Sequence, residues 1–158
     1  MNEERPFEKF TNRTYKGKSV SSSNVTDLQM VLDTRKAMGR KPVIVSVSMS
    51  NPAVFGEIEK EADAILVGFG VQAQAVLDII AGAAEPSALL PMQMPADMRT
   101  VEEQLEDVPR DMRCHVDTEG HAYDFGFGLN WKGAIKDART ARYRVPTRSS
   151  AASRPGRR

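Results

Sequence analysis

The stretch Lys41 to Pro52, "KPVIVSVSMSNP", decides the architecture. Val43 to Met49 is rich in β-branched residues and bounded by Pro42 and Pro52, which reads as a strand. Ser50 or Asn51 is placed to cap a following helix, with Pro52 at its first position. That helix has an apolar stripe of Val54, Phe55, Ile58 and Ala62, with Glu57, Glu59, Lys60 and Glu61 turned to water. Next comes "AILVGFG", Ala64 to Gly70, a continuous apolar run that suits a parallel strand covered on both faces.

The flanking segments are helical. Upstream, Asn24 can cap a helix whose Leu28, Val31, Leu32 and Arg35 share a face, and Gly39 stops it. Downstream, Ala73, Val76, Leu77 and Ile80 give the i, i+3, i+4, i+7 face of a helix over about 72–81, ended by Gly82. The order helix–strand–helix–strand–helix with short connections predicts an α/β fold, a three-layer sandwich with a mostly parallel sheet and helices on both faces. Ligands of such sheets sit beyond the carboxyl ends of the strands. Those ends are Ser48–Asn51 and Phe69–Gln74.

Composition bounds the rest. The chain has 158 residues and 41% apolar content, enough for one domain with a core. No apolar run approaches the roughly 20 residues of a membrane helix. The start carries Glu3 and Glu4 and no apolar segment, so no signal peptide is expected; compartment stays open. Lone Cys114 has no disulfide partner.

Net charge is +1, but all arginines from Arg139 onward follow the last acid, Asp137, so an acidic body precedes a basic tail. From Val145 the tail has almost no apolar content and is expected to be disordered. No base-reading motif accompanies its charge, so nucleic acid is not the expected partner. The chain thus divides into an irregular segment 1–23, a domain 24–138 and a basic tail 139–158.

Farther along, "EPSALLPMQMP" (85–95) reads as a loop entering an extended segment. "TVEEQLED" (100–107) reads as a helical turn or a polar loop. "HAYDFGFGLNW" (121–131) holds the densest aromatic cluster. It lacks the third glycine of a dinucleotide-binding loop, and no helix opens there. Tyr123, Phe125 and Phe127 alternate with Ala122, Asp124 and Gly126, which fits a strand with one aromatic face on the core; a surface stacking platform is the alternative. Cys114, His115 and His121 have no paired ligand spacing for zinc, and a hairpin with two exposed histidines is expected instead.

Taken together, "GRKPVIVSVSMSNPAVFGEIEKEADAILVGFG", "DIIAGAAEPSALLPMQMP" and "YDFGFGLNW" resemble the C-terminal α/β domain of glycoside hydrolase family 3, in order and spacing, over about 25–135. The resemblance implies a retaining exo-acting β-glycosidase, often a β-glucosidase, without cofactor or metal. Its site lies between this domain and a TIM barrel that carries an Asp nucleophile; the acid/base is often a Glu of the sandwich domain. A barrel takes about 250 residues, and none precedes the first helix in this chain. The barrel is therefore expected from elsewhere, in cis or in trans, and the isolated chain is expected to be inactive. Ala88 replaces the glycine of the family's PSG turn, and Gly70-Val71-Gln72 replaces Pro-Gly-Gln.

No catalytic residue is assigned: Glu3, Glu4 and Glu8 precede the first strand but sit in no alignable motif. The candidate substrate-binding residues are Asn51, Phe69, Gln72 and Gln74 at the strand ends, with Asp124 as the one residue of the aromatic stretch open to a functional role. The expected ligand is a β-linked saccharide. A stand-alone, non-catalytic carbohydrate- or protein-binding module on the same scaffold is the second reading.

Overall fold

The structure is a computed structural model and describes residues 17, 25–105 and 108–143. Asn24, the irregular segment apart from Gly17, and the tail beyond Tyr143 lie outside the described residues.

The first helix, α1 (Val25–Met38), ends as its sequence dictates: Gly39 takes φ +56° and its N–H bonds to the Arg35 carbonyl. Strand β1 (Ile44–Ser48) and strand β2 (Ala64–Gly68) pair in parallel, from Ile44 opposite Ala64 to Ser48 opposite Gly68. Helix α2 (Ala73–Ile80) follows directly, and Gly82 at φ +74° terminates it. The α/β class is therefore present, in a two-stranded parallel sheet with its helices.

One side chain staples this unit. Arg35 donates from Nε to the Glu61 carbonyl at 2.8 Å and from Nη2 to Asp63 Oδ2 at 2.6 Å. The same Asp63 oxygen accepts the Val43 N–H at 2.7 Å. The end of α1, the start of β1 and the approach to β2 thus share one ion-paired node.

Four expectations are corrected. The helix from Pro52 is absent; only a 3-10 turn, Glu59–Glu61, forms in that segment. Phe55 is nonetheless buried, at 1% exposure. A stripe of four apolar residues in a Gly-containing stretch is satisfied by one anchored ring, without regular helix. Second, Glu59 does not face water: its side chain is 15% exposed. Third, the α2 stripe is not covered, since Leu77 and Ile80 are 56% and 47% exposed. Fourth, β2 is only half-covered, although its apolar run suits a strand enclosed on both faces.

The remainder is built on loops. Helix α3 (Met98–Glu103) is capped by Asp97, whose carboxylate accepts the Thr100 N–H. Strands β3 (Leu129–Asn130) and β4 (Gly133–Ala134) make a short hairpin. Helix α4 (Ala138–Tyr143) carries ordered chain past residue 139, where the tail was expected to begin.

The aromatic stretch is not a continuous strand. It holds an isolated bridge, Val116 to Ala122, and a turn at Phe125–Gly126 with Gly126 at φ +83°. The Tyr123 and Phe127 rings stack at 5.4 Å, while Phe125 turns away to meet Tyr143 at 5.2 Å. Its aromatics do pack, as the core-strand reading requires, but on two sides of a turn. Gly128 is needed for close approach: a Cβ there would collide with the Ala88 carbonyl oxygen. Ala88 itself does not have positive φ, so it fits the turn where the family has glycine.

The apolar core of the described residues rests on Val43, Phe55 and Met94, at 5%, 1% and 0% exposure. With so few buried side chains, deleting one is costly. Phe55→Ala should lower stability by about 3–5 kcal/mol, measured as a fall in the urea midpoint. A change under about 0.5 kcal/mol would show that Phe55 is not the anchor.

Asp63 sets a pH dependence. The Arg35 guanidinium, then the Val43 N–H, hold its carboxyl below the ordinary 3.8. A depressed folded pKa adds stability above the unfolded value, and that stability is lost as pH falls through the folded one. The urea midpoint should therefore be level above about pH 5 and drop below about pH 4, with a smaller drop in Asp63→Asn. An equal drop in the variant would exclude the node.

Candidate functional site

The parallel pair brings its two carboxyl ends together: the Met49 N–H donates to the Gly68 carbonyl at 3.0 Å. Asn51 follows β1 and is exposed. Phe69 follows β2 and is 38% exposed. Gly70 then takes φ +74°, which explains a glycine before the helix. Gln72 is the N-cap of α2 in extended geometry, its side chain making no capping bond. Asn51, Phe69 and Gln72 thus border one edge, with Val71 between them at 57% exposure.

Gln74 and Asp124 are engaged differently. Gln74 donates along α2 to Asp78 at 2.7 Å, so its amide serves the helix surface. Asp124 accepts from Gln93 at 2.8 Å and from the Phe125 N–H at 2.7 Å. Its carboxylate braces the turn of the aromatic stretch. Gln93 also reaches the Cys114 sulfur at 3.2 Å. Burial, then the negative charge of Asp124, pushes the Cys114 thiol up to about 11. Such a thiol is a poor nucleophile near neutral pH.

A second polar cluster lies where the sequence indicated solvent. His115 is buried, at 8% exposure, rather than displayed on a hairpin. Its Nε2 has no hydrogen-bond partner and lies 4.0 Å from Glu59 Oε2, too far for a hydrogen bond. The other Glu59 oxygen accepts from the Thr118 N–H and hydroxyl at 3.3 and 3.1 Å. Tyr123 meets the His115 ring edge-on at 5.0 Å. Burial, then the charges of Asp117, Glu59 and Glu119, pushes the Tyr123 phenol up to about 12.

The hairpin itself forms, with His121 half-buried. The His121 ring sits 3.1 Å from Asp117, which also accepts the N–H groups of Glu119 and His121. Burial raises the Asp117 pKa, but the His121 N–H, the His121 ring and the Glu119 N–H outweigh it and leave the carboxyl low. The turn is spanned by "DTEGH", with Asp117 bonding two of its N–H groups; nothing in "EIEKEAD" distinguishes Glu59 from its solvated neighbours. Among the described residues no three His, Cys, Asp or Glu side chains gather as a metal site. No helix among them is long and apolar enough to cross a membrane.

The sequence model of the glycosyl hydrolase family 3 C-terminal domain matches residues 9–131. The chain is 38% identical over 104 residues to the "Probable beta-glucosidase C" of Aspergillus flavus, covering 63% of this chain and 16% of the fungal protein. The Aspergillus oryzae protein of the same name gives 38% over 104 residues, 63% of this chain and 15% of its own length. The "Periplasmic beta-glucosidase/beta-xylosidase" of Dickeya chrysanthemi is 27% identical over 120 residues, 76% of this chain and 17% of that protein. The chain therefore spans about a sixth of these relatives. No solved structure matches it. With the parallel pair, its bordering helices and the matched segment in agreement, the chain belongs to the glycosyl hydrolase family 3 C-terminal domain family.

Proposed function

We propose that this chain is the C-terminal part of a retaining β-glycosidase of β-glucosidase type, forming one wall of a sugar site whose other wall is a TIM barrel in cis or in trans. The observation that carries the reading is the family match over 9–131, combined with an exposed strand-end edge bearing Asn51, Phe69 and Gln72. An exposed aromatic ring beside two amides suits a sugar: the ring covers an apolar sugar face, and the amides bond its hydroxyls. Retaining hydrolysis needs two carboxyl groups flanking the bond. No such pair is assigned in this chain, and the barrel supplies the nucleophile.

The exposed apolar edge favours this reading over a stand-alone module. Phe69, Val71, Leu77 and Ile80 are all more than a third exposed on neighbouring segments, which suits an interface with another domain.

The purified chain should hydrolyse an aryl β-glucoside no faster than buffer. Turnover abolished by substituting one of its own glutamates would contradict the proposal. When the chain is assembled with the preceding part of a family enzyme, Asn51→Ala and Gln72→Ala should each raise KM about tenfold, the scale of one lost hydrogen bond. Gln74→Ala should change it little, because that amide is held by Asp78. Asp124→Asn should lower the urea midpoint instead of altering KM. KM values unchanged in the first two variants would remove this edge from the sugar site.

A further inference from the structure

We propose that His115 and Glu59 form a proton-operated contact across the junction between the parallel unit and the loop-built C-terminal half. Neutral His115 leaves the contact open, and a proton taken from solvent closes it. The inference concerns how this chain holds its own parts together and does not rest on the glycosidase reading.

The polar surroundings of His115 are unfinished. Its side chain is 10% exposed, and that of Glu59 is 15% exposed. Buried side-chain nitrogens and oxygens are nearly always hydrogen-bonded, and an exception calls for a physical reason. Among the described residues His115 Nε2 is that exception, and Glu59 Oε2 stands 4.0 Å from it. Neither neutral form of the ring can use this neighbour. A bare Nε2 turns its lone pair toward a negative oxygen, and a neutral N–H at this separation is out of bonding range. The imidazolium carries an N–H on both nitrogens together with a positive charge. A charged N–H donating to a carboxylate settles at about 2.8 Å, so closure needs a movement of about 1 Å.

The ring is the fixed partner. Tyr123 meets it edge-on at 5.0 Å, and a Cβ on Gly56 would come within 3.9 Å of Nδ1. The His115 backbone is tied at both polar groups, its N–H to Met94 and its carbonyl to Tyr123. Glu59 is held less firmly. It belongs to a three-residue 3-10 turn, and its Oε1 accepts from the Thr118 N–H at 3.3 Å and the Thr118 hydroxyl at 3.1 Å. Both distances lie beyond the usual range for their kind of bond. Glu59 is therefore the group that shifts. Its turn follows the segment that buries Phe55, so the closed contact adds a second tie beside the Phe55–Tyr123 ring pair.

The charges around the ring are negative. Glu59 faces it from the 3-10 turn. Asp117 and Glu119 lie in the loop that follows His115, with His121 3.1 Å from Asp117 and 3.7 Å from Glu119. Burial, then Asp117, Glu59 and Glu119, holds the neighbouring Tyr123 phenol up at about 12, so it stays neutral. Cys114 is a neutral thiol, pushed up to about 11 by burial and then by Asp124. Met94 and Pro95, on the segment bonded to His115, bring no charge. Among the described residues Glu59 has no lysine or arginine within ion-pair distance, only His115. An imidazolium at this place would have the counter-charge that a buried ion requires.

The test is nuclear magnetic resonance on the isotopically labelled full chain, over a series from about pH 8 to about pH 5. In that interval imidazoles change charge while ordinary carboxyls stay ionised. The Glu59 side-chain carboxyl carbon should shift with the same midpoint as the His115 ring nitrogens. An Nε2–H proton in slow exchange with water should be absent at the alkaline end and present at the acid end. Glu59→Gln keeps an oxygen for Thr118 but removes the charge, and the slow proton should be lost. In His115→Gln the Glu59 carbon should hold still across the interval. In His121→Gln both signals should persist, because that ring contacts Asp117 and Glu119 and not Glu59.

A Glu59 carbon that stays flat while His115 titrates overturns the proposal, and the wild-type series shows this even where a variant fails to fold. So does a slow Nε2–H proton already present at the alkaline end, or a His115 ring that stays neutral throughout. Loss of the coupled shift in His121→Gln overturns it as well, since the other histidine would then be its source.

Discussion

Three backbone hydrogen bonds hold the C-terminal half together. The Met94 N–H donates to Tyr123, the Tyr123 N–H donates to His115, and the His115 N–H donates to Met94, each at 2.9 Å. This closed ring ties three distant segments in place of a long ladder. Met94 is fully buried at its centre, and Pro95 is bridged to Cys114 beside it. Each buried peptide group needs a partner, because an unpaired one costs the free energy of a lost hydrogen bond. The ring meets that demand where no regular sheet does.

Much else follows from it. With Tyr123 fixed, its ring receives Phe55 at 6.0 Å, His115 at 5.0 Å and Phe127 at 5.4 Å. Phe55 is the link to the parallel unit, since it lies between β1 and β2 in sequence. Burying it brings the 3-10 turn close enough for Glu59 to accept from Thr118. The strand-end edge with Asn51, Phe69 and Gln72 belongs to the parallel unit, at the opposite end of the strands from the Arg35–Asp63 node.

Regular elements with local signals were legible in the sequence. β1 and β2 announced themselves by β-branched and apolar runs, and α1 and α2 by apolar spacing and terminal glycines at Gly39 and Gly82. The segment from Pro52 was misread because four apolar residues at helical spacing are also what a loop shows when one of them, Phe55, is drawn into a core. Glu59 and His115 were misread for a related reason. Their burial depends on contacts 56 positions apart, and no local pattern records them. Of the candidate site, the strand-end placement of Asn51, Phe69 and Gln72 followed from topology, whereas the bonds that engage Gln74 and Asp124 depend on side-chain geometry. The family resemblance rested on ordered segments, and those segments contain Val43, Phe55 and Met94, the buried apolar side chains of the described residues.

A parallel strand pair and a ring-tied aromatic cluster coexist in one fold. Nuclear Overhauser contacts on the isotopically labelled chain test this most directly. One set of dispersed resonances is expected, with backbone contacts between β1 and β2 in the Val45–Ile65 register and ring contacts from Phe55 to Tyr123. A collapsed spectrum would contradict it, as would strand contacts in a shifted or antiparallel register without the Phe55–Tyr123 pair.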